Sequence, residues 1–396
     1  MLQSQLVSIY IHIPFCRSRC TYCDFNTYAG MEAYIVDYTA ALEKELHMAR
    51  PLLRAGESIH TIYFGGGTPT ILPAQQFARI LDGIRREYPL TEDVEVTSEA
   101  NPLLLTVEGL HALKRAGVER LSMGMQSGNP QELKILGRRH TLAELVQSMD
   151  FARQAGFENI NLDLIFGIPG QSLASLKESL EKALALQPQH LSLYSLTVED
   201  ATPLAHMLRE GSLPEPDADV AADMYEWLMD YLPTQGFDQY EISNWAREEV
   251  WRSRHNLQYW HYGPYLGFGA GAHSTMERMR WANASAIPDY IERMQSAQTW
   301  QVDAPPAAAD VIPLTEWDEI QESMMMGLRL TEEGISASAF QTRFGKSLEA
   351  VYPKEITSLI NNGLLEWDGG GQTRHLRLTR RGRMLGNQVF MQFIEG

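Results

Sequence analysis

Hydrophobic and polar positions follow two alternating rhythms along the first half of the chain. Short apolar runs at Val7–Ile13, His60–Phe64, Val94–Ser98, Arg120–Met125, Asn159–Phe166 and His190–Leu196 have the length and composition of buried strands. Between them, apolar residues recur three or four positions apart over Tyr34–Arg50, Gln75–Tyr88, Val107–Ala116, Leu142–Ala155 and Leu173–Leu186, which predicts helices. Strands alternating with helices call for a parallel sheet with helical crossovers. Six units rather than eight predict an α/β fold built on an incomplete, TIM-like (β/α)6 barrel, open on one side for a bulky substrate.

After Tyr194 the rhythm changes. Leu213-Pro214-Glu215-Pro216-Asp217 reads as a linker into a helix at Ala221–Leu232, and the Pro/Ala-rich stretch 304–309 as a second boundary. The expected division is therefore a barrel over 1–212, an α+β connecting region over 213–303 and a C-terminal domain over 304–396. In the last part, helices at Glu319–Leu328, Ser336–Phe344 and Tyr352–Asn361 precede a hairpin of Leu364–Trp367 and Leu376–Leu378, a winged-helix-like pattern. Arg374, Arg377, Arg380, Arg381 and Arg383 make that end basic. The whole chain, however, has 50 acidic against 33 basic side chains and a formal charge of −17, which repels a phosphate backbone. Nucleic acid is not an expected partner, and the basic end reads as a solvated wing or a peripheral contact with protein or anionic membrane. No apolar run approaches the ~20 residues of a membrane helix. Met1–Gln5 lacks a basic segment followed by an apolar one, so the cytoplasm is the expected location.

All three cysteines, Cys16, Cys20 and Cys23, fall within eight residues, after the first apolar run and among Pro, Arg, Ser and Asp. An odd number so clustered excludes a disulfide framework. A zinc site closes four ligands, typically from two pairs, and although His12 is near, the chain has no second pair. Soft thiolates in one tight loop suit an iron–sulfur cluster, and three of them on a four-iron cubane leave one iron open. Other unusual residues fall at the predicted C-terminal strand ends, where parallel barrels gather function. Gly65-Gly66-Gly67-Thr68-Pro69-Thr70 follows the second strand, Glu99 ends the third and Gln126 the fourth. Asp163 precedes Phe166-Gly167-Ile168-Pro169-Gly170 in the fifth, and Tyr194 ends the sixth. The glycine run lacks the Gly-Lys-Ser/Thr ending of a nucleotide phosphate loop.

The spacing C-x3-C-x2-C, with Tyr22 before the third cysteine, resembles the hallmark of the radical S-adenosylmethionine (SAM) superfamily. The resemblance implies a radical SAM barrel with a [4Fe-4S] cluster on Cys16, Cys20 and Cys23. It further implies SAM chelated to the open iron and cleaved, after one-electron reduction, to a 5′-deoxyadenosyl radical. Carried over residue by residue, Gly66, Gly67 and Thr68 would hold the SAM amino group and Glu99 the ribose hydroxyls. Tyr10, Tyr22, Gln126, Arg138 and Asp163 would be further SAM contacts.

Tyr10–Cys16, Phe64–Pro69, Leu121–Ser127 and Asn161–Pro169 together resemble the oxygen-independent coproporphyrinogen III oxidase group, along essentially the whole chain. Three departures point to its HemW-type branch of haem chaperones rather than to the dehydrogenase. Phe25 stands where the dehydrogenase has a further cysteine, and fifteen residues precede Cys16 where the dehydrogenase carries an extension. His255-Asn256-Leu257-Gln258-Tyr259-Trp260 reproduces the HNxxYW signature of the chaperones. This implies binding of haem b and its delivery to acceptor proteins, respiratory ones first, with a flavodoxin or ferredoxin as electron donor. The alternative is the dehydrogenase, which decarboxylates coproporphyrinogen III to protoporphyrinogen IX. His255 is the candidate axial haem ligand, ahead of His261 and His273. Arg252 or Arg254 are candidates for the propionates, and the aromatic residues between Trp245 and Trp281, with a flexible stretch over 267–272, for the macrocycle faces.

Overall fold

The structure, a computed structural model, describes residues 6–394; the absence of an export pattern was read from Met1–Gln5, which lie outside the described residues. The chain divides into two compact units, residues 1–221 with 264–312, and residues 222–263 with 313–396.

Six strands organise the first unit: β1 (Leu6–Ile13), β2 (Ser58–Gly66), β3 (Leu90–Ala100), β4 (Arg120–Gln126), β5 (Asn159–Phe166) and β6 (His190–Ser195). They lie side by side in chain order, each parallel to the next. Helices α1 (Ile35–Ala49), α2 (Ala74–Glu87), α3 (Val107–Ala116), α4 (Leu142–Gln154) and α5 (Leu173–Ala185) supply the crossovers. Right-handed crossovers repeated in one direction put every helix on the same face, which is the winding of a barrel rather than of a doubly wound sheet. All seven residues of β4 are buried, as expected of a parallel strand covered on both sides. Thr106, Thr141 and Ser172 cap α3, α4 and α5, and Thr141 forms a capping box with Glu144.

Beyond β1 the sheet continues through β7 (Tyr265–Phe268), β8 (His273–Met276), β9 (Met279–Asn283) and β10 (Ala308–Pro313). β7 runs parallel to β1 with Ile11 opposite Phe268, whereas β8 and β9 are antiparallel to their predecessors. This corrects the expectation of a flexible stretch over 267–272: Gly267 and Phe268 belong to a strand, and Phe268 and Trp281 are core residues. Strands of four or five residues interrupted by glycine are too short to display a period.

The second unit includes a hairpin of Asp238–Glu241 and Asn244–Ala246 and the short helix Arg254–Trp260. It also contains helices Glu316–Gly327, Ala337–Phe344 and Pro353–Asn361. Its three-stranded sheet has His375–Leu378 between Ile335–Ser336 and Leu365–Asp368. Ile320, Met324, Phe340, Leu376 and Phe393 are among its core residues, and Ile242 packs against them. The boundaries thus differ from the expected three-part division. Residues 222–263 fold with the C-terminal part and 264–312 join the large sheet, so the region expected at 213–303 is shared out. Pro-rich composition marks a turn in the chain but not the sheet edge on which the next segment will pair.

The C-terminal arginines are engaged within this unit. Arg374 pairs with Glu349, Arg377 with Glu366 and Asp368, and Arg380 with Asp230 and Glu226. Arg381 donates to the Asn362 carbonyl and Arg383 to Gln239. No helix among the described residues is long and apolar enough to cross a membrane.

Candidate functional site

The thiol loop leaves β1 through Pro14 and a two-residue strand, Phe15–Cys16, that pairs in parallel with Tyr28–Ala29. Thr21 then ties the loop to the segment after β4: its Oγ1 donates to the Ile135 carbonyl at 2.6 Å and its N–H to Leu136 at 3.2 Å. The Tyr22 ring packs against Leu136, Ile165 and Ile168, so an aromatic side chain anchors the loop immediately before Cys23. Cys16 is buried, Cys20 and Cys23 half-buried, and all three are free thiols. Burial pushes the Cys16 thiol up to about 11, so it is protonated at neutral pH and metal ligation must displace that proton. Among the described residues no three His, Cys, Asp or Glu side chains converge tightly enough to hold a single metal ion. Three free thiols on one loop are the donor set of an iron–sulfur cluster.

The glycine run at the end of β2 lies against this loop. The Gly67 N–H donates to the Ile13 carbonyl and the Thr68 N–H to Phe15. A Cβ on Gly67 would lie 2.5 Å from the Phe15 oxygen and 2.9 Å from Cys16 Sγ, so only glycine fits there. Gly66 has φ +111°, and a Cβ there would strike the His12 ring at 2.6 Å. That ring is buried, and burial lowers its pKa, which favours neutral imidazole. Its Nε2 lies 2.9 Å from the Asn26 carbonyl, so Nε2 donates and Nδ1 accepts from the Tyr10 hydroxyl at 3.0 Å.

Glu99 closes the next side of the site. Its Oε1 accepts from the Tyr63 hydroxyl at 3.0 Å and its Oε2 from the Gly66 N–H at 3.2 Å. Each oxygen keeps a lone pair, as a pair of vicinal hydroxyls would require. Burial, with Asp163 nearby, pushes this carboxyl up to about 7. Asp163 accepts from Asn161 Nδ2 at 2.8 Å and Ser122 Oγ at 3.2 Å, and burial raises its pKa too. Tyr10 and Tyr63 stack with ring centroids 6.2 Å apart.

Opposite the glycines, Arg138 Nη2 donates to the Gly124 carbonyl at 2.8 Å and Nη1 to Cys20 Sγ at 3.6 Å. Its buried Nε has no hydrogen-bond partner, a donor available to an anionic ligand group. Gln126 ends β4 at φ +63° beside a register shift, a costly backbone for a non-glycine residue and one that gathers at functional sites. A Cβ on Gly124 would meet both Gln126 Nε2 and Arg138 Nη2 within 3 Å.

The strand ends and thiol loop therefore bring together Cys16, Cys20, Cys23, Tyr10, Gly66, Gly67, Thr68, Glu99, Gln126, Arg138 and Asp163. Tyr22 points its ring into the supporting core. His255 belongs to the second unit: Ser253 caps its helix, the ring is buried, and Nε2 lies 3.0 Å from the Tyr259 hydroxyl. His261 pairs with Glu333 at 2.9 Å, and His273 is exposed on β8 in the first unit. Sequence reasoning passed over Tyr63 and assigned His12 no role in the site. The signal was there, since Tyr10 and His12, like Tyr63 and Gly65, share one face of a strand by alternation. It also passed over Tyr38 and Glu45 of α1, which act through contacts remote in sequence.

Comparison with known proteins places the chain in a family. Residues 10–183 match the radical SAM superfamily and residues 314–385 the HemN C-terminal domain. The chain is 39% identical over 389 residues to the heme chaperone HemW of Bacillus subtilis, covering 98% of this chain and 99% of that protein. It is 36% identical to the heme chaperone HemW of Lactococcus lactis, covering 98% and 97%. It is also 34% identical to the mouse mitochondrial radical S-adenosyl methionine domain-containing protein 1, covering 93% and 84%. Among solved structures, coproporphyrinogen III oxidase (HemN) from Escherichia coli superposes with a TM-score of 0.82 at 23% identity, over 98% of this chain and 90% of that one. At that identity the likeness concerns the fold.

Proposed function

The chain belongs to the radical SAM superfamily and, within its HemN-like group, to the HemW family of haem chaperones, and from this footing we propose that it binds haem b beside a SAM-liganded [4Fe-4S] cluster and passes the haem to acceptor proteins. The observation that carries the cluster half is the loop itself: three free thiols with the Gly67 backbone packed on Cys16 and Arg138 bonded to Cys20.

Cys16, Cys20 and Cys23 would hold the cluster. Bound there, cluster and SAM supply one-electron chemistry at a sulfonium. The protein's part is positioning. The Thr68 hydroxyl and the Gly66–Gly67 backbone would hold the amino group, and Glu99, with a lone pair left on each oxygen, would accept from ribose hydroxyls. Arg138 Nε offers a hydrogen bond to a carboxylate, and its Nη1 donates to Cys20 Sγ. Gln126 and Asp163, with Tyr10 and Tyr63, form the remaining wall.

His255 is the proposed haem ligand, and ligation requires its ring to exchange the Tyr259 hydroxyl for iron. Respiratory proteins are the proposed acceptors, a flavodoxin or ferredoxin the proposed electron donor, and the cytoplasm the proposed setting. With SAM and dithionite as the electron source, haem added to anaerobically reconstituted protein should change the haem spectrum and be accompanied by slow release of deoxyadenosine. His255→Ala should weaken haem binding at least about tenfold, the scale of a lost metal ligand; an unchanged spectrum and affinity would remove His255 from this role. Coproporphyrinogen III with SAM and dithionite should yield no protoporphyrinogen, and its formation would favour the dehydrogenase.

A further inference from the structure

A pocket of about 530 Å³ opens beside the thiol loop. Its lining includes Arg138, the residue bonded to Cys20, and around it stand Arg19, Lys134 and Arg139, all exposed. Arg17, two residues before Arg19, is exposed as well. In a chain of formal charge −17, some cations are matched, as Arg79 is by Glu43, Arg252 by Glu332 and Arg377 by Glu366. These four are not: none has an ion pair among the described residues, and Arg19 donates to the Phe25 carbonyl at 3.3 Å.

The acidic groups on the same elements are few or occupied. Glu132 is buried and accepts from Ser127, Gln171 and Ser175. Glu144 is held by the Thr141 hydroxyl and N–H. Asp24 alone is exposed on the loop, next to Phe25, whose ring is 67% exposed. The thiol loop thus exposes an apolar side chain, Phe25, together with Arg17 and Arg19, while Arg19, Lys134 and Arg139 line the pocket beside it.

Resting on the reading of the thiols as cluster ligands, we propose that this face docks a small acidic one-electron carrier protein, with Phe25 as its apolar contact and Arg17, Arg19, Lys134 and Arg139 meeting the carrier's carboxylates. Transient redox complexes bury little surface and depend on opposite charges for encounter. Electron transfer falls steeply with distance, so the carrier must dock near the thiol loop, and Arg138, which lines this pocket, is bonded to Cys20. In the step itself the carrier loses one electron and the cluster gains one, with no bond made or broken. A nucleic acid would also meet the cations, but the charge of the whole chain opposes it.

The test uses the full-length reconstituted protein with photoreduced flavodoxin as the acidic carrier and photoreduced deazaflavin as a small reductant that needs no docking. Reversing the charge of Arg19, Lys134 and Arg139 together to Glu should weaken flavodoxin binding and slow cluster reduction by about tenfold or more at low ionic strength, a difference that shrinks as salt is added. Phe25→Ser should weaken binding at all salt concentrations. Reduction by deazaflavin should be unchanged in every variant, which also reports an intact fold. Flavodoxin affinity indifferent to both the reversal and Phe25→Ser would overturn the proposal, as would wild-type affinity independent of salt. So would a site that holds inorganic phosphate while flavodoxin binding ignores the reversal. Salt-sensitive flavodoxin binding to a protein that assembles no four-iron cluster would support the surface and overturn the reading of the thiols, so the two fail separately.

Discussion

Glu45 of α1 has no exposed surface, yet its Oε2 accepts from the Gly269 N–H and the Tyr290 hydroxyl and its Oε1 from Asn283 Nδ2. Burial pushes this carboxyl up to about 7 from an ordinary 4.5. Between those values the folded protein binds more protons than the unfolded chain, so this group's contribution to stability falls as pH rises through that window. Glu45→Gln removes the dependence. Relative to wild type, the variant should gain about 3 kcal/mol between pH 4.5 and pH values above 7, from the linkage of a shift this large. Urea midpoints across that range check it, and parallel curves for the two proteins would refute it. Gly67 makes a second residue-scale case. Crowding against Phe15 and Cys16, not backbone angle, demands glycine there. Gly67→Ala should sharply reduce iron and sulfide incorporation while leaving the far-UV spectrum of the apoprotein unchanged; full cluster content in the variant would mean that the loop yields without loss.

At the scale of elements, α1 and the segment around Gly269 act as a clamp on β1. The Tyr38 hydroxyl donates to the His12 carbonyl at 2.7 Å and accepts from the Ala270 N–H at 2.9 Å. Asn26, just after the thiol loop, donates to the Ala270 and Ser285 carbonyls. The turn after β7 and the segment after β9 thus also hold the loop. Tyr38→Phe leaves two buried backbone groups unpaired and should cost about 2–4 kcal/mol. Thermal unfolding measures that cost, and a loss below about 1 kcal/mol would show that water or a neighbour replaces the hydroxyl. The strands and helices of the barrel were legible because their periods run over five or more residues. β5 was expected at Asn159–Phe166 and α3 at Val107–Ala116, and both occur with those bounds. The clamp was not legible, because Tyr38 and Ala270 meet only after more than two hundred residues of intervening chain have folded.

At the scale of the molecule, the chain leaves the first unit at residue 221, returns at 264 and leaves again after 312. Residues 222–263 depend on what comes later: the Thr331 N–H donates to the Tyr240 carbonyl, Ile242 N–H to Arg329, and Arg383 reaches Gln239. Tyr240 and Trp245 are buried in this unit. A chain ended after Ile312 should expose them, bind the dye ANS strongly and be cut rapidly by protease within 222–263. Unaltered dye binding and digestion would show that this segment is stable without the C-terminal part.

Local chemistry settled much in advance. Three thiols within eight residues, the glycine run and the alternating apolar periods determine a cluster-type loop at the mouth of a parallel barrel, because ligand spacing and period are properties of neighbours in the chain. The tertiary structure alone decided which carboxylates share a buried environment, that Arg138 meets Cys20, and that four unmatched cations face solvent beside the thiols. It also decided that the first two residues of the segment expected to flex around a haem, Gly267 and Phe268, lie in a core strand. Those facts depend on burial and on partners distant in sequence, and neither is specified until the sheet closes around them.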